Sequence, residues 1–193
     1  MVDLSLTEGL YAAGLGLVVL ERGVELLISK RNARLAMEQG GIEVGQRHYK
    51  AMVLLHSLFL PACLLETVLL ERPFHAVLGL GMLLLALASM GLRYWAVSSL
   101  GTRWNTRVVV VPGLQAVTQG PYRWIRHPNY VAVVIEIFAL PLIHGAWWTA
   151  ACFTLLNFFL LKTRIRVEEE ALQQHCGYQE SLGGRPRFLP ESP

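Results

Sequence analysis

The run from Phe74 to Val97 is almost wholly apolar until Arg93 interrupts it. About 20 mainly apolar residues are enough to cross the hydrocarbon core of a bilayer. Two other runs approach that length. Ala51–Leu70 is broken only by His56, Ser57, Pro61, Glu66 and Thr67, and Tyr130–Leu161 carries Glu136, His144 and Asn157 with a turn at Pro141–Gly145. Charged residues make up 16% of the 193, against roughly 25% in soluble domains. A chain this poor in charge cannot coat a water-facing globule, so the lipid bilayer is the expected solvent.

The pattern predicts one all-α membrane domain over 1–193, with about five transmembrane helices at 8–29, 51–71, 74–97, 130–143 and 146–162. The last two are short. Fourteen helical residues span only ~21 Å against a core of ~30 Å, so the pair reads as a thin hairpin. Fifteen of the 17 Lys and Arg residues fall in three segments, Lys30–Lys50, Arg93–Arg126 and Lys162–Pro193. Five spans put all three on one side, which the positive-inside rule makes the cytoplasm. The expected location is an integral, multi-pass protein of the bacterial inner membrane with its polar face toward the cytoplasm. The first run opens with Asp3 and Glu8 rather than cations, and it lacks a small-residue cleavage pattern, so it does not read as a signal peptide.

Polar residues collect in the segments assigned to that face. Ser98–Asn129 is punctuated by Gly101, Pro112, Gly113, Gly120, Pro121 and Pro128, so it cannot be one helix. Val108–Val111 reads as a short strand ending in a Pro112–Gly113 turn, with Gln115–Gln119 as a second strand of a small hairpin. Loops of ~30 residues are uncommon in compact proteins and are usually functional or disordered; the β-branched and aromatic content here argues for order. Pro128 suits the first turn of a helix, whose free N–H groups and partial positive charge favour an anionic group. His127 and Tyr130 flank that terminus. Tyr122, Trp124 and Tyr130 with Arg123 and Arg126 also fit plain interfacial anchoring. In KTRIRVEEEAL, Arg164 and Glu168 stand four apart and share a helical face, where they can pair.

Carboxylates inside spans are costly and face a partner or a polar cavity. Glu21, Glu25 and Glu136 are such groups, with Arg22, His56 or Arg93 as candidate partners. Cys63, Cys152 and Cys176 show no CxxC spacing and read as packing residues, and the six histidines form no metal-ligand pattern. No metal site is expected, and no arginine–aromatic array points to nucleic acid.

GPY followed by RHPNY, an arginine four before EE-x-x-L, then GYQE and RPRFLP, together resemble the isoprenylcysteine carboxyl methyltransferase family of integral-membrane enzymes that use S-adenosylmethionine. The match covers Leu100 to Pro190. The first half, with ISKRN, EQGGIEVGQRHYK and LLHSLFL, is similar to a bacterial subgroup associated with O-methylation of polyketide alkylpyrones. The resemblance implies a cofactor region at 98–130 and 162–190. In it, Tyr122, His127, Pro128, Asn129 and Tyr130 form a cofactor-binding turn, and Glu168 is the acid that holds the cofactor. Leu114, Gln115, Ala116 and Val117 occupy the strand that lines the cofactor through backbone groups; some relatives carry histidine where this chain has Leu114. Arg107 aligns loosely with a cofactor-contacting glutamine of eukaryotic members. Arg164 corresponds to the arginine that positions the methyl acceptor, which makes it the catalytic and substrate-binding candidate, with Glu136 as a further substrate-binding candidate.

The expected reaction is therefore S-adenosylmethionine-dependent O-methylation of a lipophilic acceptor. That acceptor is either the carboxylate of a prenylated cysteine or the enol or phenol hydroxyl of an alkylpyrone-type lipid, met within the membrane lipids. Two other readings stay open: a membrane reductase using NADPH, and a non-enzymatic membrane scaffold whose polar loop docks a partner.

Overall fold

The computed structural model describes residues 5–178 and 182–188. Gln179, Glu180, Leu189 and Pro190 of the GYQE and RPRFLP motifs lie outside the described residues, as does Asp3. Five helices follow in order: α1 (Leu6–Glu38), α2 (Gln46–Leu69), α3 (Ala76–Leu100), α4 (Pro128–Leu142) and α5 (Trp147–Cys176). Two three-residue strands, β1 (Ile42–Val44) and β2 (Val108–Val110), pair antiparallel, with Glu43 opposite Val109.

Ser5 starts α1 with a capping box, accepting from the Glu8 N–H while the Glu8 carboxylate accepts from the Ser5 N–H. The helix then runs past the expected span to Glu38, because nothing from Lys30 onward breaks it. At the end where α1 begins, Tyr11 Oη donates to the Leu140 carbonyl (3.0 Å), and Thr7 lies 3.2 Å from His144. At that same end Glu66 receives the Arg72 guanidinium (2.8 Å) and the N–H groups of Trp148 and Thr149, tying the α2–α3 turn to the start of α5. The opposite end collects β1, β2, the 3₁₀ turns at Gly101–Arg103 and Gly120–Arg123, and the last turns of α5. The described parts of the three cation-rich segments thus share one end of the bundle.

Among the described residues, two helices, α2 and α3, are long and apolar enough to cross a membrane, and α4 is a shorter apolar helix. Only 22% of each long span is buried, so these are not the core helices of a globule. Leu54, Leu58 and Leu65 of α2 and Leu80, Leu84 and Leu87 of α3 point outward, as do Leu17, Leu20 and Leu27 of α1 and Phe158 and Phe159 of α5. Such a band of outward leucines is stable facing lipid and costly facing water.

Three expectations need correction. Gln115–Gln119 forms no strand: β2 pairs with β1 instead, because the Pro112–Gly113 turn is drawn to the end of α5, where the Gly113 N–H donates to the His175 carbonyl (2.9 Å). The thin hairpin is also lopsided. α4 is short, about 22 Å at 1.5 Å per residue, and lies mostly buried against α3 and α5, whereas α5 continues unbroken for 30 residues. Finally, Cys63 and Cys176 are buried packing residues, but Cys152 faces outward from α5.

Candidate functional site

α4 opens at Pro128, with His127 as the residue before its first turn. The proline ring presets the helical φ and removes an N–H that would have had no partner. Just upstream, Gly120 sits at φ +59°, and a Cβ there would come within 2.0 Å of Ser99 Oγ. That glycine lets the GPY turn close against α3 and bury Tyr122. The end of α5 presents Arg164, Glu168 and Glu169 to the same place, since residues four apart share a helical face.

The two pieces lock together. Arg164 Nε donates to Tyr130 Oη at 2.7 Å, and Tyr130 Oη donates in turn to Glu168 Oε2. Arg164 is 4% exposed. Its Nη1 donates to the Thr106 carbonyl at 2.7 Å, which pins the loop before β2, and its Nε lies 4.0 Å from Glu168. Burial opposes the charge on Arg164, but Tyr130 and Glu168 outweigh it and hold the guanidinium protonated above its ordinary range.

One residue further round α5, Glu169 meets His127 Nε2 at 2.9 Å, Arg126 at 3.3 Å and Arg187 at 2.6 Å. Burial would raise the Glu169 carboxyl, but hydrogen bonds from His127 and Arg187 and the charge of Arg126 pull it down to about 2. The chain near Arg187 folds back as a strap. The Arg126 and His127 N–H groups donate to the Pro186 and Arg187 carbonyls, and Arg185 Nη1 donates to the Tyr122 carbonyl at 2.5 Å.

Between these elements lies a cavity of about 370 Å³. It is within the usual size range for small-molecule sites. The structure brings to its wall Arg107, Leu114, Gln115, Ala116, Val117, Tyr122, His127, Asn129, Tyr130, Arg164 and Glu168. Leu114–Val117 reach it because Arg103 Nη1 donates to the Gln115 carbonyl (2.7 Å) and the Pro112–Gly113 turn is fastened to α5. Arg107 is half-exposed at the rim and also pairs with Glu43 at 3.2 Å. Burial pushes the Tyr122 phenol up, and Glu168 adds to the shift, so it stays neutral.

Two predicted residues are not brought to the wall. Pro128 is fully buried behind it as the first residue of α4. Glu136 sits two turns down the same helix in a buried ion network. It pairs with Arg22 and lies 3.9 Å from Arg93, while Arg93 holds Glu25 through two bonds of 2.8 and 2.5 Å. Arg22 reaches Glu25 at 2.6 Å and Glu21 at 3.3 Å. Arg22 and Arg93 are therefore the partners of these three acids. Arg93 alone extends toward the cavity, with Nη1 3.4 Å from Asn129 Oδ1.

Sequence reasoning missed Glu169, Asn105 and Tyr178. Three glutamates in a row carry no sign of which faces what until the helix phase is set. Asn105 and Tyr178 line the cavity, and the buried amide of Asn105 has no partner among the described residues. Among the described residues, no group of three His, Cys, Asp or Glu side chains is placed to hold a metal.

The isoprenylcysteine carboxyl methyltransferase family model matches residues 81–174, which contain most of this constellation. The chain is 37% identical over 162 residues to uncharacterized protein YpbQ of Bacillus subtilis (strain 168), covering 83% of this chain and 95% of that one. An uncharacterized protein of Haemophilus influenzae is 27% identical over 78% of this chain and 88% of its own. A protein-S-isoprenylcysteine O-methyltransferase of Tribolium castaneum is 33% identical over 78 residues, 38% of this chain and 28% of that enzyme. With an outward leucine band, a polar cavity at one end of the helices and these matches, the chain belongs to the isoprenylcysteine carboxyl methyltransferase family.

Proposed function

We propose that this protein is an S-adenosylmethionine-dependent O-methyltransferase acting on a lipophilic acceptor at the membrane. One observation carries the reading: the opening of α4 and the trailing half of α5 are bonded across a single cavity through Tyr130–Glu168, Arg164–Tyr130 and His127–Glu169. The cofactor fits the residues present. The cavity is of small-molecule size, and the Asn105 amide is enclosed without a partner among the described residues, as expected of a group that waits for a ligand.

When bound, S-adenosylmethionine supplies an electrophilic methyl group on a sulfonium. Glu168 is the anion for its ammonium or ribose hydroxyls, and the tyrosine faces favour its positive charge by roughly 0.5–2 kcal/mol each. The N-terminus of α4 suits its carboxylate. Arg164 holds the anionic acceptor oxygen, and its anchors on Tyr130 and Thr106 keep it from swinging away. In-line methyl transfer gains most from such alignment.

The acceptor is either a prenylcysteine carboxylate or an alkylpyrone-type enol or phenol, entering from the bilayer. Fifteen of 17 cations lie in the segments gathered at the cavity end, which supports a cytoplasmic cavity, five crossings and a bacterial inner-membrane location. The test uses purified protein in lipid nanodiscs with methyl-labelled S-adenosylmethionine and a lipid extract. Label appearing in an extractable lipid, together with binding of S-adenosylmethionine and not NADPH, is the expected result. Binding of NADPH alone would overturn the reading.

A further inference from the structure

Asn105 stands in the segment between the 3₁₀ turn at Gly101–Arg103 and β2, and its neighbours on both sides are fully engaged. The Trp104 carbonyl accepts from Asn32 Nδ2 at 2.8 Å, and the Thr106 N–H donates to Ser29 Oγ at 2.9 Å. The Thr106 carbonyl accepts from Arg164 at 2.7 Å. The backbone around Asn105 is thereby fixed from α1 and from α5. Its own side chain lines the cavity, with both Oδ1 and Nδ2 buried and unpartnered among the described residues. An asparagine that merely shaped the turn would bond nearby backbone; this one does not.

The chemistry of the amide narrows what it can meet. It presents one acceptor and one donor side by side in a plane. An ammonium or sulfonium has no use for the donor, and a carboxylate has no use for the acceptor. The edge of an adenine ring offers an amino N–H next to a ring nitrogen, which is the complement asparagine meets in bidentate adenine recognition. The same cavity supplies apolar wall from Leu35, Ala36, Leu100 and Val108, suited to the faces of a flat ring.

We propose that Asn105 reads the adenine edge of the cofactor, accepting from the 6-amino group through Oδ1 and donating to a ring nitrogen through Nδ2. This inference rests on the proposed S-adenosylmethionine-dependent activity and names a base-selecting residue within it. The test is calorimetric binding, to the full chain in nanodiscs, of S-adenosylhomocysteine and of its analogue with hydrogen in place of the 6-amino group. The wild type should prefer the amino form roughly 10-fold. Asn105→Leu should bind both forms equally and more weakly than the wild type. Asn105→Asp, which keeps an acceptor and loses the donor, should retain the preference at lower overall affinity. A ratio of affinities does not depend on the folded fraction, and Asn105→Asp serves alone if the leucine variant does not fold: loss of its preference would then overturn the assignment. Undiminished preference in Asn105→Leu, or no preference in the wild type, overturns the role of Asn105 and leaves the methyltransferase reading standing. Failure of the wild type to bind S-adenosylhomocysteine at all overturns both.

Discussion

Replacing Tyr130 by Phe deletes one oxygen at the junction of α4 and α5. That oxygen accepts from Arg164 Nε at 2.7 Å and donates to Glu168 Oε2, so two hydrogen bonds to charged groups disappear together. Hydrogen bonds of this kind contribute about 1.5–3 kcal/mol each. The two sides are unequal. Arg164 is 4% exposed and keeps its bond to Thr106 but finds no water for Nε, so its loss should count in full. The Glu168 side chain is 26% exposed and can be partly rehydrated, so its share is discounted by half. The expected total is about 2–4 kcal/mol, or a fall in Tm of roughly 4–16 °C for a chain of this size. Thermal unfolding of the purified variant in detergent measures it, and the ring is retained, so packing of Leu161 and Ile165 around Tyr130 is not altered. A Tm within about 1 °C of the wild type would refute the claim that this hydroxyl joins the two helices.

Glu169 confers a pH dependence of known sign. Its carboxyl lies at about 2 in the folded protein against an ordinary 4.5, so its stabilisation is present above about 4.5 and is lost as pH falls toward 2. Glu169→Gln should flatten the acid limb of a Tm-against-pH curve in that window and leave the slope above pH 6 unchanged. Within the buried ion network, Glu25→Gln and Arg93→Met should each destabilise, by up to about 3–5 kcal/mol where a charge is left unpaired. The double variant should cost clearly less than the two together, because neither partner is then stranded; additive losses measured by denaturation in detergent would show that the 2.5 and 2.8 Å contacts are not coupled.

Much of the candidate site can be read along the chain because its parts are short motifs with local geometry. Arg164 and Glu168 share a face through helical periodicity alone, and Pro128 announces a helix start by its missing N–H. The long apolar runs declare α2 and α3 as membrane-length helices for an equally local reason: their side chains are mostly apolar over about 20 residues. The resemblance of RHPNY and EE-x-x-L to a methyltransferase family named the residues to watch, but not how they meet.

What no local rule supplies is the choice among equivalent partners. Val108–Val110 has the makings of a strand, yet whether it pairs with Gln115–Gln119 or with Ile42–Val44 depends on where α5 ends and draws the Pro112–Gly113 turn. Glu136 lies in an apolar run and Glu168 in a charged segment, but neither setting names the partner. Only packing sends one to Arg22 and Arg93 in the bundle and the other to Tyr130 in the cavity. Charges buried in low dielectric must find a counter-charge within a few ångströms, and which one they find is decided by helices far apart in the chain. The chain alone therefore determined the membrane-length helices and the family motifs, while the tertiary structure decided the pairings and the cavity, because both depend on contacts between helices distant in sequence.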